Sequence, residues 1–155
     1  MADMQLLLQK LRERGMNLAT AESCTGGMLG QWITAISGSS DVYKGGVIAY
    51  SNEIKARLLS VPQELLDCYG AVSWQVAEAM AAGTRAACRS SVGVGITGIA
   101  GPNSDGTSKP VGLVFVGYSD GDITTHIQLN LSGTREEIRE ETCRQAVALI
   151  AAHLN

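Results

Sequence analysis

Two hydroxyl side chains and a thiol, those of Ser23, Cys24 and Thr25, stand directly before Gly26 and Gly27. A hydroxyl or a thiolate becomes a nucleophile when a neighbouring base takes its proton. Thr25 can cap a following helix, and glycines without a Cβ let a ligand approach free backbone N–H groups. The stretch therefore predicts either an anion-binding turn at a helix N-terminus or an ordinary capped turn. It is not a Walker A loop, because no Gly-Lys-Ser/Thr follows.

A base for such a nucleophile is sought among histidine and lysine. The two histidines are His126, on the polar face of a strand pattern, and His153, close to the C-terminus, so a Ser-His-Asp triad is disfavoured. Lys55 falls in the first turn of a helix that begins after residues 50–52. The positive end of a helix and any burial both lower a lysine pKa, so Lys55 is a candidate neutral base. A solvated lysine at a helix start is the alternative.

The four cysteines, which include Cys24, are scattered without a C-x-x-C spacing or a Cys/His cluster. Structural zinc and metal-dependent hydrolysis are therefore disfavoured, and we expect no metal. Cys24 has no evident base partner, so a small buried cysteine is favoured over a second nucleophile. We find neither a signal-peptide pattern nor an apolar run of membrane-spanning length, and we expect a cytoplasmic protein with reduced thiols.

Length and composition limit the fold and the partners. With 155 residues, 45% of them hydrophobic and 17% charged, the chain predicts one globular domain over residues 1–155. The net charge of −3 provides no broad basic surface, so we expect neither nucleic acid nor a membrane as a partner.

Hydrophobic periodicity predicts the elements that position these residues, and it indicates an α/β fold. Strand and helix patterns alternate, the last helix begins with the capping-box sequence Thr134-x-x-Glu137, and residues 98–106 form a long Gly/polar loop. Gly93 and Gly95 alternate with branched residues and leave room for a helix or ligand. We expect a three-layer α/β/α domain with a mixed sheet. The predicted helices are 3–14, 26–36, one starting at 51–52, 62–67, 74–88 and one from Thr134, and the predicted strands are 17–21, 45–50, 91–97, 111–118 and 123–131.

Six segments, taken in order, resemble one family. They are residues 20–27, 38–40, 50–55, 70–73, 96–102 and 109–112. In this order they are similar to the CinA C-terminal domain family, and the resemblance extends over roughly residues 5–152. The molybdopterin-binding-like domain of full-length CinA is absent from this sequence, so the chain is similar to the free-standing amidohydrolases of that family, and pyrophosphatase activity is not expected.

The resemblance implies hydrolysis of the carboxamide of nicotinamide mononucleotide to nicotinate mononucleotide and ammonia, a step of pyridine nucleotide recycling. It implies a serine–lysine mechanism without metal or cofactor, in a homodimer or larger homo-oligomer. By motif, Ser40 is the expected nucleophile, with Ser23 as the alternative and both within the site. Lys55 is the expected base, and Tyr50 orients it or assists proton transfer.

The same resemblance implies a set of substrate-binding residues. Arg135 matches an arginine expected to meet the phosphate, since its fork of donors suits that anion. The family often has Asp where Thr134 stands, a change that keeps a helix cap but could weaken the positioning of Arg135. The full set of expected binding residues is Ser23, Thr25, Gly26, Gly27, Thr97, Gly98 and Arg135.

Two other functions stay open at this point. One is a nucleotide-binding paralogue that has lost turnover, against which the intact set of Ser23, Ser40, Tyr50 and Lys55 counts. The other is an amidase that acts on a different pyridine or nucleotide amide through the same site.

Overall fold

The computed structural model describes residues 2–155, and its centre is a mixed five-stranded sheet. The strand order is β2-β1-β3-β4-β5. Strand β1 is parallel to both of its neighbours, whereas β3, β4 and β5 pair in antiparallel fashion. The predicted mixed sheet is therefore confirmed. The strands are β1 Leu18–Glu22, β2 Tyr43–Ile48, β3 Val92–Gly98, β4 Leu113–Ser119 and β5 Thr124–Asn130.

Helices cover both faces of the sheet and give the three expected layers. The first, second and sixth helices pack on one face, and the third, fourth and fifth pack on the other. Within residues 2–155 none of them is both long and apolar enough to cross a membrane. The helices are α1 Ala2–Glu13, α2 Met28–Thr34, α3 Asn52–Leu59, α4 Gln63–Tyr69, α5 Trp74–Cys88 and α6 Arg135–His153, and a 3₁₀ turn spans Ser39–Asp41.

Side-chain hydroxyls cap three of the helices and set where each begins. The Ser51 side chain accepts a hydrogen bond from the Ile54 N–H at the start of α3. The Ser73 side chain accepts one from the Val76 N–H at the start of α5. Thr134 and Glu137 form the predicted capping box at the start of α6. Because each cap satisfies an N–H that the helix leaves unpaired, these hydroxyls fix the register in which the helix side chains reach the sheet.

Helix α5 lies directly on the backbone of β3 and β4. Val92, Val94 and Ile96 of β3 belong to the core on the α6 side, so the glycines between them face α5. A Cβ built at Gly95 would lie 2.6 Å from the carbonyl oxygen of Ala77, and Gly117, its register partner in β4, meets the same oxygen. The glycine face predicted for this strand therefore receives a helix.

We expect Gly95→Ala to lower the free energy of unfolding by about 3 kcal/mol, because its methyl group would push α5 away from the sheet. Urea denaturation measures the change. Gly106→Ala is the matched control: it has a positive φ of +88° but open space around its Cβ, so the backbone strain alone should cost about 1–2 kcal/mol. Equal losses in the two variants would contradict close packing of α5 as the cause.

Candidate active site

The carboxyl ends of the three parallel strands converge on one edge of the sheet. Ser23 follows β1, Tyr50 comes two residues after β2, and Thr97 and Gly98 end β3. After β1 the chain forms β2 on one side of β1, and it later forms β3 on the other side. Crevices at such topological switch points are the usual ligand sites of open α/β sheets. The turn that carries Ser23 lies at this point.

A buried lysine and a serine hydroxyl are in contact in this crevice. The Nζ atom of Lys55 donates to Ser23 Oγ at 3.1 Å and lies 3.5 Å from the carbonyl oxygen of Tyr50. The lysine is 2% exposed, and no carboxylate of residues 2–155 lies within 4.0 Å of its nitrogen. Burial lowers the Lys55 pKa from its ordinary 10.5, and the charge of the Cys24 thiolate would act in the opposite direction.

The position of Lys55 on α3 explains why a charged residue is buried. Lys55 and Leu59 are the two buried residues of this helix, and their spacing of four places them on the same face. The Ser51 cap fixes this register, so that the apolar stem of Lys55 packs inward while its nitrogen reaches the end of β1. The sequence-based expectation of a lysine in the first turn is met, and its solvated alternative is wrong.

The structure does not bring Ser40 to Lys55. Ser40 is exposed in the 3₁₀ turn that precedes β2, whereas Lys55 and Tyr50 come after that strand. A strand of six residues spans roughly 20 Å at about 3.3 Å per residue, so Ser40 lies at the opposite edge of the sheet. The expectation that both serines share the site is corrected: the hydroxyl bound to Lys55 is that of Ser23.

The turn after β1 also differs from the prediction. Thr25 does not cap α2, which begins after Gly27, a residue in the left-handed conformation with φ 101°. The carboxylate of Glu22 instead accepts the N–H groups of Leu29 and Gly30 at 2.9 and 3.0 Å. The N-terminus of α2 therefore already binds an anion, one supplied by β1, and is not a free anion site.

The remaining residues of this turn do not line the cleft. The Thr25 hydroxyl is fully buried and has no hydrogen-bond partner within residues 2–155. Gly26 and Gly27 both have positive φ, of 59° and 101°, which explains why two glycines are needed to turn the chain from β1 into α2. Of the predicted binding residues, Thr25, Gly26 and Gly27 thus shape the turn and do not contact the cleft.

An open cleft of about 350 Å³ lies beside the Lys55–Ser23 pair. Thr97 and Gly98, which the sequence analysis expects to bind substrate, both line it, and the Thr97 hydroxyl donates to the Ala71 carbonyl at 2.8 Å. Its wall includes polar side chains that sequence reasoning did not single out, on α3 and on the predicted Gly/polar loop. These are Asn52, Asn103, Ser104 and Asp105.

Arg135 and Tyr50 form the rim of this cleft. Arg135 Nη1 donates to the Gly101 carbonyl at 2.7 Å, and Nη2 lies 3.3 Å from the Tyr50 hydroxyl. The Tyr50 side chain is 65% exposed. Thr134 caps α6, and Arg135 is its first helical residue. Two of the five guanidinium N–H donors of Arg135 are paired within the protein, and the others can meet a ligand.

Two residues that hold the turn were not identified from the sequence. Glu22 is one, and Arg139 of α6 is the other: its Nε donates to the Cys24 carbonyl at 3.1 Å and its Nη2 to the Thr25 carbonyl at 3.0 Å. Arg139 follows Arg135 by four residues, so the two share a helix face. That spacing was the available signal, whereas nothing local marks Glu22 as the partner of α2.

The arrangement places a serine hydroxyl beside a buried lysine amine, with the cationic Arg135 at the rim of the cleft. Burial raises the Cys24 pKa to about 12, so the neighbouring thiol stays protonated. In residues 2–155 no group of three or more His, Cys, Asp or Glu side chains is placed to hold a metal ion. A larger cavity, of about 470 Å³, lies between α1 and α6, but its lining is mostly apolar and contains neither serine nor lysine.

Comparison with known proteins agrees with the fold and the segments described above. The family model of the CinA C-terminal domain matches residues 2–154. A CinA-like protein of Acidobacterium capsulatum is 45% identical over 150 residues, which cover 97% of this chain and 36% of that protein. A CinA-like protein of Gemmatimonas aurantiaca is 49% identical over 92% of this chain and 33% of its own length. The chain thus spans about a third of the length of these curated relatives.

Solved structures show the same similarity. A CinA-superfamily protein from Klebsiella pneumoniae superposes with a TM-score of 0.96 at 28% identity, covering 99% of this chain and 96% of that one. The competence/damage inducible protein of Agrobacterium tumefaciens superposes with a TM-score of 0.89 at 36% identity, covering 97% and 94% of the two chains. With a matching family model over nearly its whole length, this chain belongs to the CinA C-terminal domain family.

Proposed function

We propose that this protein hydrolyses the carboxamide of nicotinamide mononucleotide to nicotinate mononucleotide and ammonia. The buried contact between Lys55 Nζ and Ser23 Oγ carries the proposal. A serine hydroxyl is a weak nucleophile until a base removes its proton, and a lysine with a lowered pKa is such a base. The resemblance of the sequence to the nicotinamide-nucleotide amidohydrolases of the family supplies the substrate.

Each step of the reaction can use these two side chains. Ser23 Oγ attacks the carboxamide carbon while its proton passes to the neutral Nζ of Lys55, and the carbonyl electrons move to oxygen. The C–N bond then breaks, and Lys55 gives its proton to the departing nitrogen, so that ammonia leaves and an ester on Ser23 remains. Water attacks the ester, passing a proton to Lys55, and the C–O bond to Ser23 breaks as Lys55 reprotonates the serine.

One backbone N–H group, that of Cys24, is a candidate to bind the oxyanion of these steps. Cys24 follows Ser23 directly and lines the cleft, and within residues 2–155 no oxygen atom accepts its N–H. An unpaired N–H next to the attacking atom stabilises the negative charge that develops on the carbonyl oxygen. It supplies a donor without a side chain, which fits a turn made of small residues.

Charge and hydrogen-bonding groups around the cleft suit a phosphorylated nucleoside. Arg135 provides a fixed positive charge at the rim, where a phosphate can remain partly solvated. Asn52, Asn103 and Asp105 present amide and carboxylate groups along the wall, and ribose hydroxyls can pair with such groups. The carboxamide would then reach Ser23 while the phosphate stays at Arg135.

Ser23→Ala should lower turnover with nicotinamide mononucleotide by about 10⁴-fold or more, because the attacking atom is lost. Ser40→Ala is the matched control and should keep wild-type turnover, since Ser40 lies at the other edge of the sheet. Ammonia release in excess EDTA measures both. If Ser40→Ala lost its turnover while Ser23→Ala kept wild-type turnover, Ser40 and not Ser23 would be the nucleophile.

The same assay separates the proposal from its alternatives. A wild-type protein that releases no ammonia, yet melts at a higher temperature with the mononucleotide, is a binding protein without turnover. Turnover of other pyridine or nucleotide amides with a higher kcat/KM than the mononucleotide would assign a different amidase substrate.

Lys55→Met should be more stable than the wild type at pH 7, with a difference that shrinks as the pH approaches 10.5. The folded protein lowers the Lys55 pKa, so between the folded and unfolded values the unfolded chain binds more protons. The wild-type free energy of unfolding therefore rises with pH by up to about 1.4 kcal/mol per pH unit there. Urea denaturation from pH 7 to 10 measures the difference, with Lys44→Met, which removes an exposed lysine, as the control for net charge. A pH-independent difference would contradict a lowered Lys55 pKa.

Arg135→Ala should raise KM for the mononucleotide by about 10- to 100-fold, because a charge-assisted contact to phosphate is lost. With the unphosphorylated riboside as substrate, KM should change little. Steady-state kinetics with both substrates measure the two effects. Equal increases in KM for nucleotide and riboside would remove the phosphate role of Arg135.

A further inference from the structure

We propose that Arg139 is a positioning residue, which orients the Cys24 N–H group as a donor to the oxyanion formed at Ser23. The inference rests on the proposed function, because it assigns a role within the same acyl-transfer site. Arg139 is not among the residues that line the cleft, so it acts through the backbone of the turn and does not touch the substrate.

Three consecutive carbonyl groups of the turn are held by donors. The Ser23 carbonyl accepts the Gly26 N–H at 3.1 Å. The Cys24 carbonyl accepts Arg139 Nε at 3.1 Å, and the Thr25 carbonyl accepts Arg139 Nη2 at 3.0 Å. Arg139 therefore bridges two successive peptide groups with one guanidinium, for which a planar fork of donors is suited.

The direction of the N–H groups follows from the planarity of the peptide bond. In a trans peptide the C=O and the following N–H point in opposite directions, and residues 2–155 contain one cis bond, Gly101-Pro102, outside the turn. Since the Thr25 carbonyl points at Arg139, the Gly26 N–H of the same peptide group points away from Arg139 and donates to the Ser23 carbonyl. In the same way the Cys24 N–H points away from the Gly26 N–H that holds the Ser23 carbonyl. Arg139 therefore acts on the Cys24 N–H through the peptide group between Thr25 and Gly26.

A second brace holds the other side of the same turn. The Glu22 carboxylate, 2% exposed, binds the first N–H groups of α2. Ser23 thus lies between a carboxylate fixed to α2 and a guanidinium that reaches over from α6. A cation against the Thr25 carbonyl also polarises its peptide group, which strengthens the Gly26 N–H as a donor to the Ser23 carbonyl and, through that carbonyl, the Cys24 N–H as a donor.

Kinetics of Arg139→Lys and Arg139→Ala test the proposal. Removing an oxyanion donor costs about 10²- to 10³-fold in kcat, so Arg139→Ala should lower kcat by about that factor while KM stays within about threefold. Arg139→Lys, which can hold one carbonyl, should retain more activity than Arg139→Ala. Added guanidinium ion at millimolar concentration should raise kcat of Arg139→Ala at least about tenfold.

Arg144→Ala is the matched control, since Arg144 is exposed on the same helix and contacts the half-buried Glu140 and Glu141. It should keep wild-type kcat and show no response to guanidinium. Unchanged kcat in Arg139→Ala would overturn the proposal, and so would an increase confined to KM or a failure of guanidinium to restore kcat. If Arg139→Ala is unfolded at the assay temperature, wild-type kcat in folded Arg139→Lys overturns the proposal, and a kcat lowered at unchanged KM supports it.

A second reaction separates this inference from the identity of the substrate. With p-nitrophenyl acetate, the acetyl group is transferred to Ser23 Oγ as p-nitrophenolate leaves, and mass spectrometry measures the acetylation rate. If Ser23 of the wild type is acetylated by this ester, but the wild type releases no ammonia from the mononucleotide, the proposed function fails while the role of Arg139 is still tested. Equal acetylation rates in the wild type and in Arg139→Lys and Arg139→Ala would overturn that role alone.

Discussion

The site depends on one interaction, the contact of a buried lysine with a serine hydroxyl, with no carboxylate of residues 2–155 within 4.0 Å of the lysine nitrogen. An ammonium inside a protein without an opposing charge is costly, so burial lowers the Lys55 pKa. A lowered pKa is also what the proposed role of general base requires. A carboxylate beside Lys55 would stabilise the folded state but would hold the proton on the lysine. The one carboxylate of the adjoining strand, that of Glu22, is instead bound to the N-terminus of α2.

The topology of the sheet brings the two partners together. Lys55 comes from the helix after β2, and Ser23 from the turn after β1, and these strands are parallel neighbours. Parallel strands place their carboxyl ends at one edge, so residues 32 positions apart in sequence meet. The third parallel strand and α6 complete the cleft with Thr97 and Arg135. Four separate segments must therefore be folded before the site exists.

Sequence patterns predicted the local features well and the long-range ones poorly. The strand and helix order, the capping box of α6 and the place of Lys55 in the first turn of α3 follow from periodicity and capping, which are properties of neighbouring residues. The burial of that lysine was left open, because it depends on the contact with the turn after β1. The choice between Ser23 and Ser40 could not be made from such local patterns, because each serine lies next to a strand in a glycine-rich turn. Ser23 follows β1 and Ser40 precedes β2, and only the parallel pairing of these strands places the two serines at opposite ends of the sheet. Thr25 failed as a cap for a local reason, because Glu22 and two glycines with positive φ form the start of α2 instead. The guanidinium of Arg139 comes from a helix more than a hundred residues later.

The glycines that bring α5 onto β3 and β4 have a consequence for how the molecule opens. With backbone packed on backbone, water has no side-chain gap through which to reach the amides of these strands on that face. Their hydrogens would exchange with solvent only when the whole sheet separates. The turn after β1 is attached differently, through a few polar contacts from α2 and α6. In a deuterium-uptake experiment, the amides of α5, β3 and β4 should therefore exchange slowly. The amides of the turn that carries Ser23 should exchange faster.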